Sequence, residues 1–120
     1  MLRKVVIIMG LVGAASCGYS SPSPSVTPIP DGPSTVLVPS GAYLGGSDGY
    51  APDTLTVTAG TTVKWGNNDS TAHTTTADDG RWNSNDLDPG ATFSVKFDTP
   101  GTYTYHCNLH SFMHGKVVVQ

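Results

Sequence analysis

Tyr103-Thr-Tyr-His-Cys-Asn-Leu-His-Ser-Phe-Met-His-Gly115 decides how the rest of this chain is read. Its first half alternates, with Tyr103, Tyr105 and Cys107 at every second position, the period of a half-buried strand. Such a strand turns Cys107 inward and His106 to the opposite face. Its second half spaces Cys107, His110 and Met113 as C-x2-H-x2-M, so a thiolate, an imidazole and a thioether follow one another closely. Soft sulfur donors beside an imidazole select copper, and two histidines, a cysteine and a weak axial methionine make up a blue-copper electron-transfer centre. The second histidine must come from elsewhere, and the upstream chain offers His73.

Each of these residues also has a plainer reading. A lone cysteine on a strand is commonly an inert buried hydrophobe. A thiolate at the apolar end of a β-structure, however, is costly unless a cation shares its charge, and His110 and Met113 stand ready to hold one. His106 is read as a surface residue from its facing. His114 lies beside Met113 in a loop where periodicity gives no facing, so it is either solvent-exposed or an alternative axial ligand. The spacing prefers Met113, whose loosely held thioether suits both copper oxidation states. His73 alone is unremarkable; its flanking sequence is what raises it.

Outward from this stretch the chain is short strands with turn punctuation. Leu55 and Val57 alternate with Thr54, Thr56 and Thr58, and after a turn at Ala59-Gly60 the pattern resumes at Val63 and Trp65. Asn67, Asn68 and Asp69 break the sheet, and His73-Thr-Thr-Thr76 is expected to resume it. Residues 77 to 90 read as a polar loop with Trp82 and Leu87 turned inward. Phe93, Val95 and Phe97 form another strand, Val36 to Val38 a first one, and Val117 to Val119 a last, buried one; Gly41 to Pro52 reads as a loop. With 14 Gly, 9 Pro and no glutamate in 120 residues, the composition disfavours helices and suits strands joined by turns. An all-β sandwich or barrel is the expected fold class.

The start of the chain is different in kind. Arg3 and Lys4 precede an apolar run from Val5 to Val12 and then small residues to Ser16, the pattern of a signal peptide over residues 1–16. The run is too short for a permanent bilayer span, which takes ~20 residues. Cys17 then follows Ala14-Ala15-Ser16 as in a bacterial lipoprotein box, although Ala14 stands where leucine is usual, and residues 17–34 read as a lipidated-cysteine candidate on a Pro/Ser-rich tether. Because Cys17 ends the leader and Cys107 sits among ligands, no disulfide is expected. The formal net charge of −3 becomes more negative without Arg3 and Lys4, which leaves no basic footprint for nucleic acid.

Gly49-Tyr-Ala-Pro52, Leu55 to Trp65, Asn68-Asp69 followed by His73, and Gly101 to Cys107 together resemble the plastocyanin/azurin family, the cupredoxins. The closing Tyr105 to Val119 is most similar to the amicyanin branch, which has the short C-x2-H-x2-M loop. The resemblance runs from about Val36 to Gln120, so residues 35–120 are the expected domain. It implies a Greek-key β-sandwich holding one copper ion, Cu(II)/Cu(I), at one end through His73, Cys107, His110 and Met113, both histidines by Nδ1. It also implies an exported, monomeric electron carrier for transient redox partners, with the edge of His110 at the surface among Leu109 and Phe112. Two positions depart from the family pattern: Leu109 stands where many members have proline, and Thr74 where asparagine or valine is frequent. The runner-up reading is an exported copper carrier or buffer that delivers metal rather than electrons. A structural sandwich with accidental ligands is a third, and a complete multicopper enzyme is not expected at this length.

Overall fold

The computed structural model describes residues 27–45 and 49–120. The expected leader over 1–16, the lipidation candidate Cys17 and the tether up to residue 26 lie outside the described residues. Seven strands follow in order: β1 Thr35–Val38, β2 Thr54–Val57, β3 Thr61–Asn67, β4 Thr76–Ala77, β5 Thr92–Phe97, β6 Gly101–His106 and β7 His114–Val119, with one 3-10 turn at Ala42–Leu44. They form two sheets, β1-β3-β5 and β2-β7-β6-β4. β1 runs parallel to β3 and β2 parallel to β7, while β3/β5, β4/β6 and β6/β7 are antiparallel. This is the β-sandwich expected from the alternation.

The two inner faces meet around Trp65, which is 1% exposed. Its ring lies 5.4 Å from Tyr105 in an edge-to-face arrangement and 5.7 Å from Trp82, with Phe93 and Phe97 beyond. Val36, Val38, Val57, Val63, Val117 and Val119 close the core around it. These are the inward positions of the period-2 pattern, and truncating a ring at the centre of such a core costs about 3–5 kcal/mol. Trp82 and Leu87 are buried as expected, so the polar segment around them is held down at two points.

Three details differ from the sequence reading. His73-Thr-Thr-Thr76 does not rejoin the sheet as a strand: His73 makes one antiparallel bridge with Leu87, and only Thr76 and Ala77 pair with β6. The reason is that Thr74 N and Thr75 N donate to side chains, Cys107 Sγ and Ser84 Oγ, instead of to a ladder. β7 begins earlier than Val117, so His114 is a strand residue opposite His106. The loop from Gly41 to Pro52 contains the 3-10 turn, and Ala51 bridges Leu37.

The tether is also not free along its whole length. Ile29 N donates to Asn68 Oδ1 at 2.9 Å and Asn68 Nδ2 donates back to Ile29 O at 3.0 Å. The Ile29 side chain rests on Gly66, where an added Cβ would come within 2.7 Å of Ile29 Cδ1. The folded unit therefore begins several residues before Thr35, beside the strand end that leads to Asp69.

Candidate metal centre

The ladder between β6 and β7 ends where the loop begins. Cys107 N donates to Met113 O at 3.2 Å, and Met113 N donates to His110 O at 3.0 Å. The loop is thus folded back on itself, and Cys107, His110 and Met113 are returned to one end of the sandwich. Cys107 and Met113 continue the inward facing of Tyr105, at 2% and 0% exposure. His73 reaches the same place from the other side, fixed by its paired backbone bonds with Leu87.

Cys107 Sγ lies 3.6 Å from His110 Nδ1 and 4.0 Å from His73 Nδ1. The two imidazole rings are 4.6 Å apart between centroids. Among the described residues, these three form the group of His, Cys and acidic side chains whose donor atoms all fall within 4.8 Å of one another. A first-row ion at the centre of a trigonal set with bonds of about 2.0–2.3 Å, the range for zinc with N and S donors, implies donor separations of roughly 3.5–4 Å. The observed separations fit an ion of that size. One thiolate and two imidazoles with a thioether nearby make copper the matching metal.

Met113 is sealed in from above by Gly49. A Cβ at Gly49 would stand 2.3, 2.6 and 2.8 Å from Met113 Cγ, Cε and Sδ, so only glycine leaves the thioether its place. His114, by contrast, is exposed and bonds Ser111 O through Nε2 at 3.0 Å. Spacing chose Met113 over His114, and burial separates them in the same direction. His106 lies on the outer face, with Asp78 Oδ1 at its Nδ1 and Asn108 Oδ1 at its Nε2.

Around the three donors, backbone and side-chain groups fix each position. Thr74 N donates to Cys107 Sγ at 3.3 Å, and Tyr50 OH donates to Thr74 O at 2.5 Å. Thr74 Oγ1 accepts from Asn108 N at 2.9 Å and pairs with Thr76 Oγ1. Thr74, which departs from the family pattern, thus ties the segment after His73 to the start of the ligand loop. Burial pushes His110 below the ordinary histidine value; His73 adds to that, and Asp69 works against it. A neutral ring is the form that can donate to a metal.

The residue the sequence reading missed is Asp69. It was read as part of a sheet-breaking turn, yet its side chain is fully buried and its Oδ2 lies 2.7 Å from His73 Nε2. Backbone N–H groups of Gly41, Ser70 and Tyr43 also donate to it, at 2.9, 2.8 and 3.1 Å. Burial alone would raise its pKa, but the hydrogen bonds from His73, Gly41, Ser70 and Tyr43 outweigh that and hold it at about 2. An Asp four residues before the candidate histidine was the available signal.

The family model for a Cupredoxin-like domain matches residues 45–119. Amicyanin-alpha of Methylorubrum extorquens is 39% identical over 69 residues, 53% of this chain and 58% of that protein. The chain therefore spans little more than half the length of that relative. Plastocyanin of Scenedesmus fuscus is 36% identical over 84 residues, 59% of this chain and 86% of that one. Among solved structures, a purple cupredoxin from Nitrosopumilus maritimus superposes with a TM-score of 0.67 at 33% identity, over 72% of this chain and 99% of that one.

Proposed function

This chain belongs to the cupredoxin-like family, and we propose that it is a type 1 (blue) copper protein that shuttles single electrons between redox partners outside the cytoplasm. The observation that carries the reading is the triangle of His73 Nδ1, Cys107 Sγ and His110 Nδ1 with Met113 buried beside Gly49. These three residues would hold one copper ion, with Met113 as the axial donor. Copper bound there supplies one-electron exchange between Cu(II) and Cu(I).

The chain's own residues account for the rest. Asp69 holds the Nε2–H of His73, which leaves Nδ1 as the donor. Thr74 N donates to the thiolate and draws charge from sulfur, one of the means by which such a site is tuned. Three donors sit on one short loop and the fourth across the sandwich, so the donor geometry is tied to the whole fold and rearranges little. His110 is the partly exposed member, with the Phe112 ring 5.9 Å away and Leu109 and Phe112 exposed by 49% and 46%. That small apolar rim fits transient partners with limited interfaces. The domain makes no covalent change in a substrate, so it is a carrier and not an enzyme.

Export follows from the leader over residues 1–16, and Cys17 with its tether is read as a membrane anchor for a monomeric domain. No helix of the described residues is long and apolar enough to cross a membrane. Delivery of copper as the main task is less favoured, because a fully buried His73 pinned by Asp69 suits retention of the ion. Adding Cu(II) to the purified protein and recording its visible spectrum tests the reading. An intense thiolate-to-copper band is expected, and a colourless protein rules the function out.

A further inference from the structure

The rung of the β6–β7 ladder that carries Cys107 and Met113 has a neighbour the metal centre does not use. Cys107 N donates to Met113 O, and Lys116 N turns the other way, to Asp53 O. Thr104 O likewise turns away, accepting from Asp78 N, so Thr104/Lys116 is a non-hydrogen-bonded pair, and His106/His114, two residues along the same register, is another. In such a pair the Cα atoms approach to about 4.5 Å and the side chains stand closest. Tyr105 and Cys107 take the inner face, so both imidazoles lie on the outer one. His106 is half-buried and His114 exposed. A carboxylate completes the group, since Asp78 Oδ1 lies 2.5 Å from His106 Nδ1. Asp78 and His114 also share the wall of a surface cavity of about 330 Å³.

We propose that His106 and His114 form a second metal site that takes one divalent first-row cation of the Zn(II) or Cu(II) class. Imidazole nitrogen suits both ions. Asp78 holds His106 by Nδ1 and leaves Nε2 as the donor, and a carboxylate behind a ligand histidine orients the ring and raises its basicity. His106 Nε2 meets Asn108 Oδ1 at 3.0 Å, a contact that a cation displaces. Among the described residues His114 bonds the Ser111 carbonyl through its ring Nε2, and its side chain is exposed, so the proposed site requires it to give up that contact and turn toward its cross-strand partner His106. Lys116 follows His114 on the same face, and its charge keeps the outer site weaker than the buried one. A cation gripped by both rings would staple β6 to β7 at the base of the loop that supplies Cys107, His110 and Met113.

Zn(II), a diamagnetic probe, is titrated into the full chain before and after copper loading, while the imidazole resonances of all four histidines are followed by NMR. His106 and His114 are expected to shift together, saturating at one equivalent in the copper-loaded chain and with the second equivalent in the copper-free chain, where His73 and His110 report the inner site filling first. The thermal midpoint rises with them. His114→Ala abolishes the shift at His106 and the gain in midpoint, and Asp78→Asn weakens binding by roughly 10–100-fold. Both variants alter exposed side chains, and an unchanged copper spectrum verifies that the fold is kept. Rings that stay in place at millimolar Zn(II), or a His106 shift that persists in His114→Ala, overturn the proposal.

Discussion

Asp69 Oδ2 stands 2.7 Å from His73 Nε2, and both side chains are fully buried. The contact fixes which ring nitrogen carries the proton and aims the other at Cys107 Sγ. Asp69→Asn keeps the shape and removes the charge, so copper affinity is expected to fall by about 10–100-fold. Competition with a chelator measures it. Parent-like affinity would mean that the ring is held by its backbone alone.

The same carboxylate gives the metal-free protein an acid limit. Its folded pKa, about 2, is below the ordinary aspartate value of 3.8, so its stabilising effect is complete above ~4 and lost as pH falls through ~2. Nearly two units of depression correspond to about 2 kcal/mol. Chemical denaturation of the apo protein at pH 5 and pH 2 should show the parent losing about that much more than Asp69→Asn. Equal losses would place the acid sensitivity elsewhere.

Gly49→Ala drives a methyl group into the space of Met113. Overpacking of this kind costs typically 1–3 kcal/mol, and here the strain falls on Met113, the proposed axial donor. A lower thermal midpoint together with a shifted visible spectrum is expected. A shift in midpoint alone would separate Met113 from the metal.

Leu109→Asp places a charge on the apolar rim without touching a donor atom. Reduction by a redox partner should slow while the copper spectrum stays intact, as stopped-flow and absorption measurements can check. Equal rates for variant and parent would move the docking site away from His110.

Removal of residues 1–34 should destabilise the domain relative to removal of residues 1–26. The longer cut takes away the paired Ile29–Asn68 hydrogen bonds and the Ile29 contact with Gly66, and each bond is worth about 1 kcal/mol. Thermal melts of the two truncated chains read the difference.

How much of this was legible depended on the distance over which each signal acts. Cys107, His110 and Met113 are neighbours in sequence, and alternation through Tyr103 and Tyr105 set their facing, so the loop could be read directly. His73 needed the resemblance, because its partner Leu87 lies in a segment without periodicity. Asp69 was hidden since Asn67-Asn68-Asp69 has the composition of a turn, and only tertiary packing buries its carboxylate. Ile29 was hidden for the opposite reason: one apolar residue in a Pro/Ser-rich run carries no period, and its docking place is a glycine.

The alternation along β6 also governs where this chain can change length. Cys107 faces inward and His106 outward only because the strand keeps its count from Tyr103 onward. One residue inserted in β6 would exchange the two, turning the thiolate to solvent and an unneeded imidazole to the core. An insertion between Asn108 and Phe112 leaves both strand ends in register and alters only the span of the loop. Length variation that preserves the centre is therefore confined to the loop, while the strand must be inherited residue for residue.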